Sequence, residues 1–239
     1  MMNRAVDLAT SYAASLATLG VGAFVGELGP RPAKTLELYE FEACPFCRKV
    51  REALSVLDLE ALVHPCPKGG ERFRPEVVRR GGKALFPYLV DPNTGTEMYE
   101  SDDIIAYLFA RYGKGSPPWF LGISAFATTS AMLASAVRPA AGGYRRRGGR
   151  APLRPLELWS FEASPYCRLV REEFSSLEIP YLLHNVAKGS PSRDAFVARS
   201  GKMQVPYLVD SNTGREMFES ADIVAYLRAT YGSAEGAGA

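Results

Sequence analysis

Cys44-Pro45-Phe46-Cys47 and Ser164-Pro165-Tyr166-Cys167 are the stretches of this chain best suited to chemistry. They sit in two versions of one motif, "FEACPFCRKVRE" from Phe41 to Glu52 and "FEASPYCRLVRE" from Phe161 to Glu172. In each, an apolar strand-like run leads into a proline suited to a first helical turn. A helix N-terminus offers unpaired N–H groups and partial positive charge, which favour thiolate over thiol. Thiolate is the reactive form. Cys44 is therefore expected just before the first turn and exposed, as a nucleophile. Cys47, one turn in and more buried, is placed to resolve a mixed disulfide formed on Cys44. Arg48 and Lys49 add positive potential. The second copy has Ser164 where the first has Cys44, so a thiol nucleophile is present in one copy only.

The remaining cysteines, Cys66 and Cys167, stand alone. With four Cys and two His, no second pair at zinc-finger spacing exists, so no metal is expected. This usage fits a reducing, intracellular compartment better than a disulfide scaffold. A hydrophobic fraction of 47% and charged fraction of 23% are those of an ordinary globular protein. A net charge of +2 gives no general attraction to nucleic acid.

The duplication extends well beyond the motif. "TLELYEF" (35–41) returns as "PLELWSF" (155–161). "GGKALFPYLVDPNTGTEMYESDDIIAYLFARYG" (81–113) returns as "SGKMQVPYLVDSNTGREMFESADIVAYLRATYG" (200–232). Each copy reads in the same order. A strand at 35–41 precedes a helix at 47–57 and a second strand at 60–66. A helix within 71–80 comes next, then an apolar third strand at 85–91 or 204–210. The turns 92–95 and 211–214 lead to short strands ending at Glu100 and Glu219. Ser101 and Ser220 read as N-caps of the last helix. The order βαβαββα in tandem makes the fold class α/β. The domains expected are 35–114 and 154–233, with an N-terminal helical segment (1–34), a helical connector and Arg-rich linker (115–153), and a flexible tail (234–239).

Residues 5–25 and 116–137 are rich in Ala, Ser, Leu and Gly. Taken alone they resemble a signal-peptide core and a membrane span. Both occupy the same place in the duplicated unit, and a signal peptide has no reason to recur mid-chain. Helices packed on or between the domains are the reading favoured over membrane contact. "RPAAGGYRRRGGRAPLRP" (138–155), with six Arg, reads as a solvated linker, with an anion-binding arm as the alternative.

The strand followed by Cys-Pro-Phe-Cys-Arg-Lys-Val-Arg-Glu, the later "FPYLVD" and "YESDDIIAYL" resemble glutaredoxins. They resemble still more closely the N-terminal, glutathione-binding domain of glutathione S-transferases. Both are thioredoxin folds. The resemblance covers about 35–113 and 154–232, a tandem arrangement similar to a group of plant and algal chloroplast proteins. It implies roles residue by residue. Pro87 and Pro206 match the family's cis-proline, leaving the backbones of Phe86 and Val205 to pair with the cysteinyl part of glutathione. Glu100-Ser101 and Glu219-Ser220 match the Glu-Ser pair that receives the γ-glutamyl carboxylate. Lys83 and Lys202, or alternatively Lys68 and its counterpart Lys188, would reach the glycyl carboxylate. Glutathione is then the expected ligand, and glutathionylated proteins are the expected partners, with a dimer compatible. A chloroplast location follows from the resemblance alone, a cytoplasmic one being the alternative.

The leading function so implied is a glutathione-dependent thiol–disulfide oxidoreductase of glutaredoxin type, with Cys44 as nucleophile and Cys47 as resolving thiol. The alternatives are a transferase-like reaction with Ser164 as catalytic residue, and a non-catalytic glutathione- or protein-binding module. The all-helical domain that follows in the transferases has no room between the two copies.

Overall fold

The computed structural model of the chain describes residues 4–17, 20–122, 128–129, 131–133, 136, 138, 141–146 and 149–232. An N-terminal helix α1 (Arg4–Ala17) precedes the first repeat, which consists of β1 (Leu36–Glu40), α2 (Pro45–Val56), β2 (Ala61–Pro65), α3 (Arg74–Gly81), β3 (Tyr88–Asp91), β4 (Thr96–Met98) and α4 (Ser101–Tyr112). A short α5 (Trp119–Gly122) opens the connector. The second repeat follows as β5 (Leu156–Ser160), α6 (Pro165–Ser176), β6 (Tyr181–Asn185), α7 (Arg193–Ser200), β7 (Tyr207–Asp210), β8 (Arg215–Phe218) and α8 (Ser220–Tyr231). Residues 128–129, 131–133 and 136 of the connector are helical. The rest of the helix expected there, and the tail 234–239, lie outside the described residues. No helix among the described residues is long and apolar enough to cross a membrane.

In each repeat the first two strands run parallel and the third and fourth are added antiparallel. The two sheets join edge to edge into one eight-stranded sheet of order β4-β3-β1-β2-β6-β5-β7-β8. The joint is β2 against β6, antiparallel, with Ala61 opposite Leu183, Leu62 opposite Leu182 and Val63 opposite Tyr181. Leu62 and Leu182 hold the same place in their repeats, so a local two-fold axis passes between them. Among the described residues, pairing these edges leaves β4 and β8 as the outer strands of the sheet, and both carry charge (Glu97; Arg215 and Glu216).

The alternating strands put Leu36 and Leu38 on the face covered by α2 and α4, where Val50, Leu54, Ile104 and Leu108 complete the core. Tyr39 and Tyr88 point to the opposite face, against Val77 of α3. The second repeat builds the same two layers. His64 stacks on Tyr39 and His184 on Trp159, each bonded to a Glu of the neighbouring strand (Glu37, Glu157), so both act as sheet struts.

The helix faces that meet across the axis carry charge rather than apolar residues. Arg51 of α2 donates to Glu162 Oε2 at 3.0 Å, and Arg171 of α6 donates to Glu42 Oε2 at 3.1 Å, a reciprocal exchange between the repeats. Arg51 also bonds Glu40, and Arg48 reaches Glu162 at 3.4 Å. All these side chains are buried. Gly22 and Gly142 let the preceding segments approach this layer. With φ of +83° and +69°, a Cβ at Gly22 would lie 3.1 Å from Glu162 Cβ, and one at Gly142 2.9 Å from Glu42 Cβ. The segments cross over to the opposite repeat. The chain near Phe24 pairs with Lys188, and the chain near Tyr144 with Lys68. Helix α1 packs on α6 of the second repeat.

The Arg-rich stretch is therefore docked through Arg138, Arg145 and Arg146, while residues 150–155 stay largely exposed. Arg138 binds Glu172 through two bonds of 2.6 and 2.7 Å and also reaches Asp7 of α1. Arg145 pairs with Glu178 at 2.8 Å, and Arg146 with Glu173 at 2.9 Å. Buried carboxylates on the second repeat recruit these guanidinium groups, which sequence periodicity could not show.

Glu52 holds the position of Glu172 but has one carboxylate oxygen with no hydrogen-bond partner among the described residues. Burial pushes its carboxyl up to about 8, and the Glu162 charge adds to the rise. A carboxyl raised in the folded state keeps its proton where the unfolded chain has lost it. Stability is then full below the unfolded value and falls as pH rises through the folded one, from near 4.5 to about 8. The slope from one such group reaches about 1.4 kcal/mol per pH unit. Glu52→Gln is expected to flatten the decline in urea-denaturation stability between pH 5 and pH 8. An unchanged slope would refute the assignment.

Candidate active site

The β1–α2 corner positions the thiols. Cys44 has an extended backbone (φ −74°, ψ 120°) and is the N-cap of α2, with Pro45 in the first turn. Its Sγ accepts the Cys47 N–H at 3.3 Å. The Cys47 side chain, and after it the Cys47 backbone N–H, hold the Cys44 thiol below its usual value, against burial. The Cys47 thiol is pushed well above its usual value by burial, reinforced by Cys44 and the Glu40 charge. The two cysteines thus separate into a thiolate former and a protonated reserve. Cys44 is less open than its position before the helix suggested, at 5% exposure, because the Phe86–Pro87 corner closes over it. Its thiol points at the Phe86 carbonyl, 4.0 Å away.

Both Phe86–Pro87 and Val205–Pro206 are cis. The third strands accordingly begin after the prolines, at Tyr88 and Tyr207, and not at 85 and 204. Beside the Cys44 corner lies a pocket of about 230 Å³ lined by Phe46, Leu85, Phe86, Pro87, Glu100 and Ser101. The N-termini of α2 and α4 both open onto it, through Phe46 and Ser101, and two such dipoles favour an anion. Glu100 and Glu219, not the serines, are the N-caps, with no side-chain capping bond. They hold φ of +63° and +69°, a left-handed backbone that is costly for a side-chain-bearing residue. Ser101 and Ser220 are the first helical residues, so their expected capping role does not stand.

None of the four lysines is among the residues that line the pocket. Lys68 lies over the Tyr144 ring and Lys188 over Phe24, where the crossing segments dock. Lys83 lies over Tyr99 and Lys202 over Phe218, beside the outer strands. A further cation, which the sequence motifs do not single out, touches the cis corner. The Arg74 guanidinium stacks on the Phe86 ring with its centre 4.7 Å away, and its Nε donates to Pro67 O. Arg193 has the equivalent bond to Ala187 O. Its retention in both repeats was the available signal. Glu40 was also passed over. Buried at the end of β1, it is pushed up to about 7, and Ser160 replaces it in the repeat that lacks Cys44.

In the second repeat Ser164 takes the N-cap, its Oγ accepting the Cys167 N–H at 3.3 Å. Helix α1 stands next to it. Ser11 Oγ donates to Pro165 O at 2.7 Å, and the Tyr12 and Tyr166 hydroxyls meet at 3.2 Å. Gln204 donates to Glu219 Oε1 at 2.5 Å, where the first repeat has Leu85. Among the described residues no group of three or more His, Cys, Asp or Glu could hold a metal ion.

A β2-β1-β3-β4 sheet, a helix N-terminus carrying Cys or Ser, and a facing cis-proline define thioredoxin-fold domains, here two in tandem. The sequence matches the family described as "Glutathione S-transferase, N-terminal domain" over residues 38–118 and again over 158–235, and the chain belongs to that family. Among solved structures it is similar to a glutathione transferase of Bombyx mori (29% identity, 36% of this chain and 39% of that one, TM-score 0.32). It is also similar to a trimeric glutathione transferase of Leishmania (14% identity, 84% of this chain and 68% of that one, TM-score 0.30). The match spans well under half the length of the Bombyx enzyme. No curated protein matches the chain.

Proposed function

We propose that the first domain is a glutathione-dependent thiol–disulfide oxidoreductase of glutaredoxin type. The observation that carries this reading is a lowered-pKa Cys44 at a helix N-terminus, facing a cis-proline corner beside a pocket built on two helix N-termini. The Cys44 thiolate attacks the glutathione sulfur of a mixed disulfide. The Cys44–glutathione bond forms, the other S–S bond breaks, and the released thiolate takes a proton from water. A glutathione thiolate then attacks the sulfur held on Cys44, giving glutathione disulfide and regenerating the Cys44 thiolate. Cys47 offers a second route, closing a disulfide with Cys44 and expelling glutathione. Its raised pKa makes that route the slower at neutral pH.

The residues fit glutathione as ligand. The backbone of Phe86 is positioned for the cysteinyl unit. The pocket at Glu100 and Ser101 suits the γ-glutamyl carboxylate and matches one end of the tripeptide in size. Arg74, stacked on the Phe86 ring, joins Lys83 and Lys68 as a candidate cation for the glycyl carboxylate.

A second reading applies to the second domain, where Val205, Pro206, Glu219 and Ser220 repeat the cradle and Ser164 replaces the thiol. Because the Ser164 oxygen accepts the Cys167 N–H, its own proton is available to a bound glutathione thiolate. Ser164→Ala is expected to cut any conjugating activity by about a hundredfold. It should leave disulfide exchange at Cys44 intact. Conjugation unaffected by this change, with glutathione still bound on calorimetry, would leave the second domain a binding module.

A further inference from the structure

A larger cavity lies at the other end of α2, about 18 Å along the helix from Cys44 at 1.5 Å per residue. Its volume is about 630 Å³, in the range of small-molecule sites. The N-terminal segment, the ends of α2 and α4, and α5 line it, open on one side. Aromatic rings dominate its walls: Phe24, Phe109, Trp119 and Phe120. Phe24 and Trp119 remain 62% and 63% exposed, an unusual outlay of large apolar surface in a small area. The floor is close-fitting. Gly26 N donates to Val56 O at 2.7 Å, and a Cβ at Gly26 would approach Val56 Cγ1 to 3.0 Å.

The duplication supplies an internal control. The second repeat makes the same backbone bond, Arg146 N to Ser176 O at 2.7 Å. There, however, the position of Gly26 is Arg146, that of Phe109 is Arg228 and that of Ala53 is Glu173. Arg146 and Arg228 both bind Glu173, at 2.9 and 2.8 Å. One ancestral corner thus carries salt bridges in one repeat and an aromatic-lined cavity in the other. Folding the corner does not require an apolar lining, since the second repeat carries charges at the described counterparts of Gly26, Phe109 and Ala53.

The charges on the lining indicate the ligand. Lys114 and Glu27 are the ionisable residues there, and neither has an ion pair among the described residues. One charge of each sign gives no net field to attract an ion, while providing one donor and one acceptor. We propose that this cavity is a second binding site, separate from the thiol site, for an uncharged, largely apolar molecule of two or three rings.

The test uses the full chain and the uncharged dye N-phenyl-1-naphthylamine, with anionic anilinonaphthalene sulfonate as comparator. Trp119 and Trp159 are the only tryptophans, so a Trp159→Phe background makes Trp119 the reporter. The expected result is saturable binding of one dye per chain, quenching of Trp119, no displacement by glutathione, and weaker binding of the anion. Gly26→Arg, which copies the second repeat, should weaken binding by about tenfold or more. Trp119→Ala, an exposed change, should do likewise if Gly26→Arg proves unstable. Non-saturable binding, displacement by glutathione, tighter binding of the anion, or unchanged affinity in both variants would each overturn the proposal.

Discussion

Cys44→Ser is expected to lower the rate of deglutathionylation of a mixed-disulfide substrate by at least about a thousandfold. A serine hydroxyl at this N-cap keeps the acceptor geometry, as Ser164 demonstrates with the same 3.3 Å bond. It does not ionise near neutral pH, and an alkoxide is a poor partner for exchange with sulfur. The fold should therefore survive while the nucleophile is lost, which separates a chemical effect from a structural one. Cys47→Ser should retain most of the activity, because glutathione itself can resolve the intermediate. The two variants must diverge. If Cys44→Ser keeps full activity, the assignment of the first domain fails, whatever glutathione binding shows. If both variants are inactive yet folded, the dithiol route carries turnover and the monothiol route does not.

Glu162→Ala is expected to cost about 3–5 kcal/mol of stability, measured by urea denaturation. Glu162 is buried and accepts from Arg51 while lying 2.8 Å from Arg171 and 3.4 Å from Arg48. Burial alone would push its carboxyl up, but Arg171, Arg51 and Arg48 hold it at about 2. Removing it takes one shared carboxylate from three buried guanidinium groups and leaves Glu40 and Glu42 as the remaining carboxylate partners of Arg51 and Arg171. The ion layer need not be the most stable filling of that space, and an apolar layer of the same shape could match it. What it supplies is register, since each Arg meets the Glu of the opposite repeat. Against a typical domain stability of about 5–15 kcal/mol, the loss is a large fraction. Arg51→Met combined with Glu162→Ala should cost less than the sum of the two single changes. The sign with acid follows from the lowered value. This contribution is present above about 4.5, the ordinary value, and is lost as pH falls through about 2. A single-variant cost below about 1 kcal/mol would mean the layer is solvated in solution.

Much of the architecture was legible because it depends on local pattern. Leu36 and Leu38 alternate with polar neighbours, and Val50 and Leu54 recur at helical spacing, so β1 and α2 follow from periodicity. Pro87 in "FPYLVD" and Glu100-Ser101, singled out by motif, line one pocket in the fold. The errors fall where a distant residue decides. Cys44 is covered by the Phe86 corner, about 40 residues on. Lys68 and Lys188 lie over aromatic rings of the crossing segments, contacts that local sequence does not show. Arg138, Arg145 and Arg146 read as solvated because Glu172, Glu178 and Glu173 are remote in sequence.

The sequence by itself determined two thioredoxin-fold repeats and the difference between Cys44 and Ser164, since both are written in local residue order. Only the tertiary structure decided that the repeats share one sheet through β2 and β6, that the motif arginines also bond across to the opposite repeat, and that one corner of the duplicated fold has an aromatic-lined cavity where the other carries the ion pairs of Arg146 and Arg228 with Glu173. These are contacts between residues far apart in the chain. No periodicity encodes them, because the partner of a buried charge or an open sheet edge is fixed only when the two halves meet.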